Sequence, residues 1–155
     1  MSSIQIIVGS MLGTSEYVAE ACEETLNALD HHVNVHLKPD LNTIISETFA
    51  EKNNENNIWI ICTSTHGAGD FPDNIVQFVS DLKECDQDLS TVKFLTIGIG
   101  DSNYDTFCYA AKNITNQLKS IGCKEIVAIK ELDMSLDIDP EDLAQQWIKQ
   151  NSDQL

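Results

Sequence analysis

Apolar positions change period several times along the chain, and each change predicts an element. The apolar run Ile4 to Val8 predicts a buried strand. From Glu16 to Leu29 the spacing turns helical, with Tyr17, Val18, Ala21, Cys22, Leu26 and Leu29 on one face. Val33, Val35 and Leu37 alternate with polar residues, which predicts a second strand near a sheet edge, ended by Pro39 and Asp40. Leu41 to Ala50 predicts a short helix, and the polar run Glu51 to Asn57 a loop. Ile58-Trp59-Ile60-Ile61-Cys62 is continuously apolar, as parallel strands are when helices cover both faces. Ile75, Val76, Val79 and Leu82 predict a third helix with Pro72 near its first turn. Lys93 to Ile99 predicts a fourth strand. Phe107, Ala111, Ile114, Leu118 and Ile121 predict a fourth helix, stopped at Gly122. Glu125 to Lys130 predicts a fifth strand. The acidic loop Asp133 to Asp139 then leads to a last helix from Pro140 that buries Leu143 and Trp147.

Five strands thus alternate with five helices. That order predicts an α/β fold, a parallel sheet between helix layers joined by right-handed crossovers. The 155 residues suffice for one domain, residues 1–155, and are too few for two. Ligands of such sheets bind at the carboxyl ends of the strands, where the strand order reverses. Three loops leave those ends rich in Gly, Ser, Thr and Asp: Gly9–Ser15, Thr63–Asn74 and Gly98–Cys108.

The first of these loops predicts an anion site. Val8-Gly9-Ser10-Met11-Leu12-Gly13-Thr14-Ser15 joins a strand to a helix, and the first amides of a helix have no intrahelical partner. Ser10, Thr14 and Ser15 add hydroxyl donors, while Gly9 and Gly13 allow close approach. A triphosphate loop needs Gly-Lys-Ser/Thr, but Gly13 is followed by Thr14 with no lysine. A dinucleotide loop needs G-x-G-x-x-G, but the spacing here is G-x-x-x-G. No Lys or Arg lies between Met1 and His36. Neutral donors alone suit one monophosphate better than a triphosphate with magnesium.

Charge narrows the partners. Nine basic and 25 acidic residues give a net charge of -16. No basic stripe exists for nucleic acid, and anionic membrane surfaces would repel the chain. A positively charged protein partner, or plain solubility, fits this balance. The five cysteines, Cys22, Cys62, Cys85, Cys108 and Cys123, form no C-x-x-C pair and read as reduced thiols of a cytoplasmic protein. A core strand from Ile4 leaves no room for a signal peptide, and no apolar run reaches the ~18 residues of a membrane span. His31, His32 and His36 lack the spacing of a zinc motif. Nothing demands an oligomer, so a monomer is expected.

At the loops, the residues resemble a known family. Gly9-Ser10-x-x-Gly13, Ser64-Thr65-His66-Gly67-x-Gly69-Asp70-x-Pro72-Asp73-Asn74 and Gly98-Ile99-Gly100-Asp101-Ser102-x-Tyr104-x-x-Phe107-Cys108 resemble the short-chain flavodoxins and the FMN domains of diflavin reductases. Glu16-Tyr17-Val18-Ala19-Glu20, Ser64 to Asp70 and Tyr104 to Cys108 look like the MioC-type subgroup in particular. The resemblance covers nearly the whole chain. It implies a flavodoxin-like three-layer sandwich with a five-stranded parallel sheet in the order 2-1-3-4-5; flavodoxin is itself the standard example of that order. It implies FMN as cofactor. The first loop, Ser10, Met11, Leu12, Gly13, Thr14 and Ser15, would hold the phosphate. The second, Thr63, Ser64, Thr65, His66, Gly67, Ala68, Gly69 and Asp70, would run along the flavin ring with His66 against one face. The third, with Gly98, Gly100, Asp101, Tyr104, Phe107 and Cys108, would place Tyr104 on the other. Gly67 or Gly69 would present a backbone carbonyl that turns toward flavin N5. Met11 stands where a hydroxyl residue is common, and His66 where many relatives carry Tyr or Trp.

The resemblance further implies an electron carrier rather than an enzyme with its own substrate. Its partners would be a flavin reductase and a redox acceptor protein, docked weakly through the acidic face. Asp70, Asp73, Asp101 and Asp105 flank the expected site. One carboxylate at ~10 Å and an effective dielectric of ~20 disfavours an anionic reduced ring by about 1.7 kcal/mol before screening. That is about 70 mV for one electron, so several acids would favour a strong donor. Other readings exist for the same sheet. A flavoenzyme reducing a small substrate such as a quinone needs an added pocket, and no stretch looks spare. A phosphorylatable signalling receiver needs acids after the first strand and an Asp after the third, where Gly9-Ser10 and Thr63-Ser64 stand. A flavin-free descendant acting through protein contacts alone stays open because of Met11.

Overall fold

The computed structural model describes residues 2–50 and 56–155. Strands β1 (Ser3–Gly9), β2 (His32–His36), β3 (Asn57–Ser64) and β4 (Lys93–Gly100) alternate with helices α1 (Thr14–Ala28), α2 (Leu41–Thr48) and α3 (Val76–Lys83). Helix α4 (Tyr109–Ser120), the short strands β5 (Lys124–Glu125) and β6 (Lys130–Asp133) and helix α5 (Pro140–Gln150) complete the chain. All pairings are parallel, in the order β2-β1-β3-β4-β5, with β6 also on β4. The expected sheet order and the edge position of β2 are therefore observed.

Strand alternation builds two cores. Ile4, Ile6, Val8, Ile58, Ile60, Cys62, Leu95 and Ile97 face α1 and α5, where Val18, Cys22, Leu26, Ala144 and Trp147 meet them. Ile7, Trp59, Ile61 and Phe94 face α2, α3 and α4. Every second residue is buried on each side, so the central strands read as continuous apolar runs. Trp59 is fully buried, and its indole N–H donates to Thr48 Oγ1 at 2.9 Å.

Several sequence expectations need correction. The fifth strand, expected from Glu125 to Lys130, is two short pieces. Phe94 pairs with Glu125 and Ile97 with Lys130, so three steps along β4 meet five along its neighbour. This lane is the sheet edge, with a partner on one side only, and a bulge there breaks no second ladder. Tyr17, expected on the buried face of α1, is 61% exposed, and Leu29 is also exposed at the helix end. The buried stripe runs instead through Val18, Cys22 and Leu26. Helix α1 opens two residues before the expected Glu16, which places Thr14 and Ser15 inside it. Leu143 is only partly buried, whereas Trp147 is buried as expected. Of the expected loop Glu51 to Asn57, residues 51–55 lie outside the described residues, and Asn57 opens β3. Gly122, with φ +100, ends α4 as expected. Among the described residues, no helix is long and apolar enough to cross a membrane.

Candidate functional site

The carboxyl ends of β1, β3 and β4 open into one cleft of about 410 Å³, a volume typical of small-molecule sites. It lies where the order reverses, with β2 reached on one side of β1 and β3 on the other.

The first loop forms one end. Gly9 pairs with Thr63 across the β1–β3 ladder, and a Cβ on Gly9 would lie 2.2 Å from Thr63 Oγ1. Only glycine lets the strands close here. Ser10 Oγ accepts from the Gly13 amide at 2.9 Å. Gly13 has φ +94 and starts α1 with no side-chain cap. The leading amides of α1 therefore carry the dipole's positive end with no cap from the N-cap residue itself, and Glu16 is the acidic residue of the first turn. Ser10 and Thr14 bring hydroxyls to the lining, and Met11 and Leu12 bring apolar atoms. Leu12 is 96% exposed. Ser15 turns inward instead. Its Oγ is buried without a hydrogen-bond partner among the described residues, and it does not line the cleft.

The second loop is fixed at both ends. His66 and Asp70 exchange two backbone hydrogen bonds of 2.7 Å, closing a tight loop over Gly67 and Gly69, whose φ values are +53 and +104. Thr65 Oγ1 accepts the Ala110 amide at 3.1 Å, supplying from another loop the cap that α4 lacks in its own sequence. Ser64, Thr65, His66 and Gly67 line the cleft. Thr63 is buried beneath it, and Ala68, Gly69 and Asp70 form the far side of the loop.

Residues 101–108 of the third loop descend in successive turns. Tyr104 N donates to Asp101 O, Phe107 N to Tyr104 O and Tyr109 N to Thr106 O. Tyr104 stands 66% exposed on the cleft wall, so it is no core tyrosine. Gly98 and Gly100 make room for the buried Cys108: a Cβ on either would sit 3.2 Å from its sulfur. Cys108 itself has φ +55, and burial pushes its thiol up to about 12, so it is a packing group rather than a thiolate. Lys112 lies over the Phe107 and Tyr109 rings at 5.8 and 5.7 Å.

A fourth segment, which sequence reasoning missed, completes the lining. Met134 follows β6 and enters the cleft. Asp133 Oδ1 accepts from the Ser102 amide at 3.1 Å, the Ser135 amide at 3.0 Å and the Ser135 hydroxyl at 2.7 Å. Met134 N donates to Gly100 O at 2.7 Å. No local pattern links residue 134 to residue 102, so only the sheet could reveal it. Ile99 and Thr106 also line the cleft from inside the expected third loop. Of the expected site residues, Gly13, Ser15, Thr63, Ala68, Gly69, Asp70 and Gly98 shape the loops without lining the cleft.

The hydrogen bonds from Ser102 and Ser135 hold the Asp133 carboxyl well below the usual carboxylate range. A carboxyl depressed in the folded state contributes stability above its unfolded pKa of ~3.9, and that stability is lost as pH falls through the folded value. Asp133→Asn is therefore expected to flatten the acid limb of a stability-against-pH curve below about pH 4. Chemical denaturation at stepped pH checks this; parallel curves for variant and wild type would contradict it.

The donor set suits a ligand with an anionic end and a flat apolar body. Uncapped amides and hydroxyls gather at α1, while Tyr104, Leu12, Met11 and Met134 offer exposed apolar surface nearby. FMN has both parts. Among the described residues, no group of acids, histidines and cysteines is arranged to hold a metal ion.

Comparison with known proteins agrees. A family model described as flavodoxin matches residues 6–147. The chain is 37% identical to the Protein MioC homolog of Pasteurella multocida over 154 residues, covering 99% of each. It is 39% identical to Protein MioC of Escherichia coli strain K12 over 151 residues, covering 96% of this chain and 95% of that one. The fold superposes on a cysteine-to-alanine mutant of flavodoxin from Pseudomonas aeruginosa with a TM-score of 0.87, at 25% identity, covering 99% of this chain and 98% of that one.

Proposed function

The chain belongs to the flavodoxin family, whose members bind FMN and carry electrons, and on that premise we propose that it shuttles single electrons from a basic flavin reductase to a basic redox acceptor. The observation that carries the reading is the cleft itself, which joins an uncapped helix N-terminus to an exposed tyrosine at the sheet's switch point.

FMN, when bound, supplies the one-electron chemistry. The chain's residues hold it and set its surroundings. The leading amides of α1 with the Ser10 and Thr14 hydroxyls would take the phosphate, with no lysine needed to neutralise it. Tyr104 and His66, on walls from different loops, would flank the ring. Leu12, Met11 and Met134 would shed water from its edge. Gly67, in a turn held by the His66–Asp70 hydrogen bonds, brings backbone polar groups to the lining.

Lysines gather at one edge of the sheet, although Lys112 stands beside the cleft over the Phe107 ring and acids such as Asp86, Asp88 and Glu125 share the lysine edge. Lys93 and Lys124 begin strands, and Lys83, Lys119 and Lys149 end helices, all at the edge opposite the cleft. Asp70, Asp73, Asp101 and Asp105 stand at the cleft edge. A basic partner is thus steered toward the cleft and held by a small, weak interface. Transfer to a basic redox protein is expected to slow by about tenfold or more between low and physiological salt. Stopped-flow rates that stay flat with ionic strength would contradict the docking model.

A further inference from the structure

Asn74 stands at the exit of the second loop, outside the cleft lining, and reaches back to the first loop. Both ends of its amide are used. Oδ1 accepts from the Ser10 amide at 2.9 Å. Nδ2 donates to the Val8 carbonyl at 2.7 Å and the Leu37 carbonyl at 3.0 Å. Val8 lies in β1, Leu37 follows β2, and Ser10 is the first residue beyond β1. One side chain therefore ties two strand ends to the start of the first loop. Its neighbour adds a second tie, since the Asp73 amide donates to Met11 Sδ at 3.3 Å. The fixed Ser10 then accepts from the Gly13 amide, and Gly13 starts α1. A chain of hydrogen bonds thus runs from Asn74 to the helix N-terminus.

The walls beside the ring position are secured separately. The His66–Asp70 backbone pair closes the second loop, and Thr65 is bonded to Ala110. Neither uses Asn74.

We propose that Asn74 is a positioning residue: it latches the first loop in its anion-holding shape and so sets the preference for a phosphorylated over an unphosphorylated flavin. This rests on the FMN reading above. Removing Asn74 leaves the Ser10 amide and two carbonyls without their partner, which frees the loop. It leaves the ring walls intact.

The test titrates FMN and riboflavin into the apoprotein of wild type and of Asn74→Ala, followed by quenching of flavin fluorescence. Expected for Asn74→Ala is an FMN affinity roughly tenfold to a hundredfold weaker, about 1.4 to 2.7 kcal/mol, with riboflavin changed by less than about threefold. A purely structural role would lower the melting temperature and leave the ratio of the two affinities at its wild-type value, which would overturn the latch. Wild type that binds neither flavin would instead overturn the FMN reading and the preference with it. Hydrogen exchange of the wild-type apoprotein decides the case if Asn74→Ala does not fold. The Ser10 amide should exchange at least about tenfold slower than the solvent-facing Leu12 amide. Equal rates would overturn the latch.

Discussion

Tyr104→Ala is expected to weaken FMN binding by roughly tenfold to a hundredfold while leaving the apoprotein as stable as wild type. The two halves of this result have one cause. Tyr104 is 66% exposed, so the folded apoprotein gains little from its ring. With the flavin beside it, that surface would be covered. Stacking of a flat heteroaromatic ring on an aromatic side chain is worth about 1–3 kcal/mol, and each 1.4 kcal/mol is tenfold in affinity. Its loop has other supports, because Asp133 bonds Ser102 and Met134 bonds Gly100. Calorimetry of the apoprotein and flavin titration of both proteins measure the two halves. A variant that binds FMN like wild type would remove Tyr104 from the site. A variant that melts well below wild type would make Tyr104 a structural residue.

Gly9→Ala is expected to cost about 3 kcal/mol of stability and to weaken FMN binding by at least about tenfold. The added Cβ would lie 2.2 Å from Thr63 Oγ1, 3.0 Å from Thr63 Cβ and 3.2 Å from Ile75 Cγ2. Thr63 and Ile75 are fully buried. Thr63 is β-branched and its hydroxyl donates to the Ser64 carbonyl at 2.9 Å, so rotation away breaks a bond and meets χ1 crowding. The alternative is to part β1 from β3, which carries Ser10 with it. Either relief shifts the first loop against the second. For a domain of this size, the loss corresponds to roughly 6–12 °C in melting temperature. An alanine variant with wild-type stability would mean that the strands part at no cost.

The central fold was legible because both sheet faces are covered. Ile58 to Cys62 could be read only as a buried strand, and Val18, Cys22 and Leu26 only as a helix stripe. Legibility failed where burial is partial. Tyr17 falls at helical spacing yet lies beside Gly13 at the solvent side of α1. The last strand is interrupted because an edge tolerates a bulge that an inner strand would not. At the site, the glycines and hydroxyls of three loops marked the cleft, but their individual tasks were hidden. Gly98 reads as a ligand glycine and is a packing glycine, needed because a Cβ there would lie 2.8 Å from Ala111 Cβ. Ser15 reads as a donor to a ligand and is buried under the helix. Met134 and Asp133 reach the site through pairing of β6 with β4, a contact between distant residues that no local pattern encodes.

The most direct test is to strip the purified protein of flavin, add FMN with riboflavin in parallel, remove the excess and record the visible spectrum. Expected is a yellow protein with quenched flavin fluorescence after FMN, one equivalent retained, and weaker retention of riboflavin, because the α1 end recognises phosphate. A colourless protein that retains neither flavin would contradict the FMN reading.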